Sequence, residues 1–292
     1  MHLPIPSPSI AVPPSAPGQP RIAVAAARIG AVQYLNTRPL VHRLAAGDQL
    51  PNAPSLSLSY DVPSRLADRL AAGQLDVALI PVVEVFRGGG SIVSNACIAC
   101  RGPVMSVKIF FRTRPDRVRR IALDEGSRTS AVLGRLLLAE RFSVRPEIEH
   151  LPIHASLDDT DADAVLLIGD RALGPVRGGF QVVWDLGDEW CRWTGLPFVF
   201  AAWAARPGLG LRQGELLAIA SRLEAARDSG VANLAAIAAA EAAGHGLTVP
   251  QCLGYLRDNL HYHLGQGEMA AIRRFRELAA AHGLVPGEGS SR

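Results

Sequence analysis

Lysine is almost missing from this sequence: Lys108 is the single one, and arginine carries the remaining basic side-chain charge. Together with the abundant alanine, that scarcity marks a GC-rich genome rather than a function. Blocks of basic residues interleaved with aromatics are missing too, aromatics make up only 5% of the chain, and the formal charge is +3 over 292 residues. Nucleic acid is therefore not an expected partner. No run is long and apolar enough to span a bilayer, so no membrane association is expected either. Residues 1–20 are rich in Pro and Ser and lack a basic segment followed by an apolar core. They read as a disordered leader rather than a secretory signal, which points to the cytoplasm.

Cysteine is also sparse, at four residues: Cys97, Cys100, Cys191 and Cys252. Cys97 and Cys100 form a C-x-x-C, but inside SIVSNACIACRG, which reads as extended chain, whereas a redox pair needs a helix N-terminus. No second C-x-x-C and no His pair completes a zinc site, so no metal is expected. Small buried cysteines account better for the pattern.

What is present is 48% hydrophobic and 20% charged, enough for a sizeable core, and by length two domains. Residues 29–32, 56–60 and 76–81 read as strands, and Pro63 to Ala72 as a helix carrying Val62, Leu66 and Leu70 on one face. Such alternation implies a parallel α/β sheet. Pro39 to Ala46 is expected to be the first helix, started by Pro39. Residues 91–98 and 106–112 read as strands. A second unit of the same kind follows Pro115: strands at 120–123, 148–151, 164–168 and 181–185, and a leucine-striped helix from Thr129 to Arg141. Val199 to Ala204 leads the chain back to the first unit. From Arg212 onward the pattern is helical throughout, with breaks expected near Gly230, Gly246 and Gly265.

Two stretches carry chemistry. In RIGAVQYLNTRPL, Arg28 to Leu40, a buried strand ends in polar side chains beside a helix start, the place where open α/β sheets put ligands. A plain βα turn capped by Asn36 or Thr37 is the competing account. In DEGSRTS, Asp124 to Ser130, Gly126 allows a tight turn and the residues after it present hydroxyls and N–H groups at a helix start that favours a carboxylate or phosphate. Ser127 or Thr129 can cap that helix while neighbouring hydroxyls face a cleft. The spacing does not fit the phosphate loop G-x-x-x-x-G-K-[ST], which disfavours a nucleotide. Asp185, Asp188 and Glu189 read as a solvated helix start. His150 and His154 flank Pro152 and are not aligned by a helix, and His261 and His263 sit in strand or helix end. No Ser-His-Asp arrangement is evident.

Six motifs occur in register: YLNTRPL at Tyr34 to Leu40, GQLDVALIPVVE at Gly73 to Glu84, RGPVMS at Arg101 to Ser106, SRTS at Ser127 to Ser130, LLIGD at Leu166 to Asp170, and WTGLPFVFAAWAAR at Trp193 to Arg206. The set resembles the chorismate dehydratases of the futalosine route to menaquinone, over roughly Arg28 to Leu284. The resemblance implies an α/β, periplasmic-binding-protein-like (type II) fold with two lobes and the ligand cleft between them. It also implies a cytoplasmic hydro-lyase that converts chorismate to 3-[(1-carboxyvinyl)oxy]benzoate without a cofactor. The family's active-site Asn falls on Asn36 and its active-site Ser on Ser106, both expected to be catalytic. Its hydroxyl-rich helix start falls on Ser127, Thr129 and Ser130, expected to bind substrate. Ala202 stands where the family usually has Val, a matter of packing. Lobe one is expected over 21–112 plus 198–292, and lobe two over 113–197. The naphthoate synthase of the same pathway and a non-catalytic solute-binding protein share the fold and are the alternatives.

Overall fold

A computed structural model describes residues 26–44, 55–174 and 178–287. The expected leader lies outside the described residues. Eleven strands form two mixed sheets among them. The first sheet contains β1 (Ala27–Val32), β2 (Leu56–Asp61), β3 (Val77–Pro81), β4 (Ser91–Cys100), β10 (Phe198–Ala205) and β11 (His261–His263), in the order β11-β4-β10-β3-β1-β2. The second contains β5 (Val107–Phe111), β6 (Arg120–Asp124), β7 (Glu147–Leu151), β8 (Ala164–Ile168) and β9 (Val182–Asp185), in the order β7-β6-β8-β5-β9. Helices α1 (Pro63–Ala71), α2 (Val82–Phe86), α3 (Arg128–Phe142) and α4 (Leu186–Thr194) connect them. Helices α5 (Gln213–Ala232), α6 (Leu234–Glu241), α7 (Val249–Gly254) and α8 (Gln266–Ala281) close the chain.

The two sheets share one plan. In each, three parallel strands from βα units (β2-β1-β3 and β7-β6-β8) are extended by an antiparallel strand beside the third: β10 in the first and β5 in the second. The central strands VALIP and AVLLI are buried at every residue, as continuous apolar runs covered on both faces should be. At the end of the first sheet remote from the cleft, Asp76 accepts from the Arg28 N–H and guanidinium at 2.8–3.0 Å and from Arg206 at 3.3 Å, tying β1 and β10 to the start of β3. Those arginines hold its carboxyl down at about 2.

Several expectations are corrected. β5 pairs with β8 and β9, so the chain leaves the first sheet between Cys100 and Val107, and a boundary at 112 is too late. The first helix is a 3-10 turn over Leu35–Val41 with Pro39 inside it. Extended chain ends at Tyr34, so the turn is under way before Pro39 is reached, and Pro39 does not start it. Ala45 and Ala46 lie outside the described residues. The C-terminal region is not helical throughout: β11 pairs antiparallel with β4. Asp185 does cap α4, but its half-buried carboxylate is not merely solvated, since it also accepts from the N–H groups of Val104 and Met105 at 2.9 and 2.6 Å. The cysteines of the C-x-x-C lie buried in β4, and all four are free.

The break expected near Gly230 is present, and Gly230 itself lies inside α5, where a Cβ would stand 1.9 Å from the Pro39 carbonyl oxygen. The break falls at Asn233, between α5 and α6. Gly230 is glycine because the helix backbone rests directly on the turn that carries Asn36. Gly230→Ala should destabilise the protein by about 1–3 kcal/mol, the scale of forced overpacking, read as a lowered urea midpoint.

Candidate functional site

The carboxyl ends of β1, β3, β6 and β8 meet where the sheets face one another, the position at which open α/β sheets bind ligands. They enclose a cavity of about 50 Å³. After β1 come Tyr34 and Asn36, and at the end of β3 Pro81. After β6 come Ser127, Thr129 and Ser130, and after β8 Gly169. Ser106 enters from the first crossing between sheets. The cavity therefore brings together all five residues singled out in the sequence: Asn36, Ser106, Ser127, Thr129 and Ser130. Among the described residues that line it there is no Asp, Glu or His.

Each is held by its local chain. Asn36 is half-buried in the 3-10 turn, and its Oδ1 accepts from the Thr37 hydroxyl at 3.2 Å. Ser106 is 1% exposed. Its N–H donates to the Val104 carbonyl and its own carbonyl accepts from the Gly169 N–H, both at 2.8 Å. Met105 before it takes a left-handed φ of 62°, a conformation held in place by the Asp185 carboxylate on its N–H. Ser127 caps α3 by accepting the Ser130 N–H at 3.3 Å. The first-turn N–H groups of Arg128 and Thr129 have no partner within the helix and face the end where an anion is favoured.

The cleft is closed by first-turn N–H groups of one sheet's connections reaching oxygens of the other. Leu35 donates to Asp170 Oδ1 at 3.0 Å, Ser64 to the Gly126 carbonyl at 3.3 Å, and Val83 to Thr129 Oγ1 at 3.3 Å. Arg128, at the start of α3, pairs with Asp68 at 2.7 Å and Glu84 at 3.4 Å. Asp170 also meets the His245 ring at 3.4 Å. Burial pushes the Asp170 carboxyl up, against the Leu35 N–H and His245. The Tyr34 ring lies over Gly169, whose φ of +63° and missing Cβ let the ring approach. Burial, reinforced by Asp124, pushes the Tyr34 phenol up, so it stays protonated.

A family model described as menaquinone biosynthesis matches residues 27–281. The chain belongs to that family. A chorismate dehydratase of Thermus thermophilus is 30% identical over 268 residues, covering 85% of this chain and 93% of that relative. A 1,4-dihydroxy-6-naphthoate synthase of Streptomyces coelicolor is 28% identical over 263 residues, covering 84% and 89%. Among solved structures, a protein of Archaeoglobus fulgidus superposes with a TM-score of 0.69 at 19% identity, covering 88% of this chain and 98% of that one. The periplasmic aliphatic sulphonate binding protein of Escherichia coli gives 0.59 at 18% identity, covering 91% and 95%. These likenesses show the fold: the menaquinone-biosynthesis chain is a periplasmic-binding-protein-like, two-lobe α/β protein. Among its described residues no helix is long and apolar enough to cross a membrane.

Sequence reasoning missed two parts of this family member's cleft. Tyr34 stands in YLNTRPL, and its place at the end of a buried strand was the available signal. Asp170, in LLIGD, reaches across to Leu35; nothing local in the sequence distinguishes that carboxylate from an ordinary strand-end Asp.

Proposed function

We propose that the protein is a chorismate dehydratase, a cytoplasmic hydro-lyase that removes water from chorismate to give 3-[(1-carboxyvinyl)oxy]benzoate. The observation that carries this is the cavity itself: it brings Asn36 and Ser106 together with the hydroxyl-rich start of α3, and its described walls carry no carboxylate or imidazole. Chorismate is a dianion, and a helix start with three hydroxyl residues suits a carboxylate. Dehydration removes the C3 proton and expels the C4 hydroxyl, and the gain of an aromatic ring drives it. Neutral amide and hydroxyl groups are poor bases near neutral pH. In this reading the substrate's own enolpyruvyl carboxylate takes the C3 proton. Asn36 and Ser106 orient that group and donate to the oxygens where charge develops. Glu84, in GQLDVALIPVVE, is the protein carboxylate weighed as an alternative base. It lies off the cavity walls, between Arg87 at 2.7 Å and Arg128 at 3.4 Å.

Incubation with chorismate tests the reading. Loss of the diene absorbance with formation of the benzoate is expected; an unchanged spectrum at high enzyme concentration overturns it. The naphthoate synthase reaction of the same pathway is the alternative, and the Asn36 and RGPVMS motifs favour the dehydratase.

Binding gives a second check. Replacing Thr129 and Ser130 together by alanine should weaken chorismate binding roughly ten- to a hundred-fold, the scale of hydrogen bonds to a charged group. Calorimetry reads this directly, and an unchanged Kd would move the carboxylate site elsewhere.

A further inference from the structure

Tyr255 opens a π-helical turn, Tyr255–Asn259, that continues α7. Such turns are rare and recur at functional sites. This one is fastened to the crossing that carries Ser106, since Asn259 Nδ2 donates to the Pro103 carbonyl at 2.9 Å. Tyr255 is 2% exposed. Its hydroxyl oxygen is shut off from solvent and has no hydrogen bond of good geometry. The polar side chains beside it are those of Ser106 and Asn36, and both pull the phenol down against the burial that pushes it up. Neighbouring Tyr262 is just as deeply buried, yet its hydroxyl donates to the Leu256 carbonyl at 3.1 Å. An interior phenol left without a partner is costly, and this one stands behind the two residues proposed to act on substrate.

We propose that Tyr255 is a positioning residue, whose hydroxyl accepts from the Asn36 amide and donates to Ser106 Oγ when the cleft is occupied. Asn36 Oδ1 is already engaged by Thr37, which leaves the amide N–H groups to donate. With its oxygen accepting from Tyr255, the Ser106 hydroxyl keeps its own proton to donate into the cavity. A chain of donors aligned in this way strengthens its last member. The assignment rests on the proposed dehydration.

Tyr255→Phe keeps the ring and removes only the hydroxyl. In the full chain its Tm should stay within about 2 °C of wild type. Its kcat for chorismate should fall about tenfold, a smaller loss than that of a positioned donor itself, with KM within about twofold. Added to Ser106→Ala, Tyr255→Phe should cost little more, because the two act as a unit. Wild-type kcat in Tyr255→Phe, or losses that multiply in the double variant, overturns the proposal while leaving the dehydratase reading in place. If wild type itself does not turn over chorismate, the dehydratase reading has failed, and the Tyr255 assignment, made for that reaction, falls with it.

Discussion

Asn36→Ala and Ser106→Ala should each lower kcat for chorismate by roughly 10²-fold or more, the scale of a lost positioned donor, with the fold intact. The expectation follows from how little freedom either residue has. Ser106 is fixed through its own N–H and carbonyl, and Asp185 holds the two residues before it. Asn36 sits on a turn anchored at Leu35 by Asp170 and supported from behind by the Gly230 backbone. Groups held this way need no reorganisation when charge develops, so water entering a truncated site is a poor substitute. The loss should appear mainly in kcat, because the invoked hydrogen bonds strengthen as the C4 hydroxyl leaves. Glu84→Gln is the companion measurement. Its carboxylate serves two arginines at the edge of the cleft, so the variant should keep most activity. Abolished turnover in folded Glu84→Gln would make a protein carboxylate the base and sink the substrate-assisted reading.

Local pattern carried much of the fold. The runs VALIP and AVLLI are apolar at every position because both faces of each strand are covered; the first was legible as a buried parallel strand and the second as a strand. Ser127 was legible as a cap, since a hydroxyl before a leucine-striped helix satisfies an N–H that helix geometry leaves open. Sheet membership was not legible for β5, because VKIFF fits either sheet and only its pairing with β8 and β9 decides. The break near Gly230 was legible, but the packing role of that glycine was not, since its local preference gives no sign that Pro39 lies against it across the sequence. In the site, the residues on strand ends and helix starts were readable because topology alone brings such ends together. Tyr255 and Asp170 were not, because each acts on a partner more than a hundred positions away: Asp170 on Leu35, Tyr255 beside Asn36 and Ser106.

Asp124→Ala should be the most destabilising single change in the cleft, costing about 3–5 kcal/mol, the scale of breaking a buried ion pair from one side. Asp124 is 2% exposed at the end of β6. One carboxylate oxygen accepts the Gly126 N–H at 2.9 Å, and the other accepts the Ile168 N–H at 3.1 Å and pairs with Arg171. It thereby fastens the turn before α3 to the end of β8, the two strand ends that form the second lobe's wall of the cavity. Burial pushes its carboxyl up, and Arg171 with the two N–H groups opposes that shift. Alanine leaves the guanidinium and both N–H groups without that partner, and water reaches the fully buried Asp124 side of the pair poorly. Asparagine keeps an oxygen for one N–H and the shape of the side chain, so Asp124→Asn should cost clearly less than alanine. Urea denaturation of the two variants beside wild type measures both values. A loss below about 1 kcal/mol for alanine, the range of an exposed pair, would show that the turn before α3 holds its shape without Asp124.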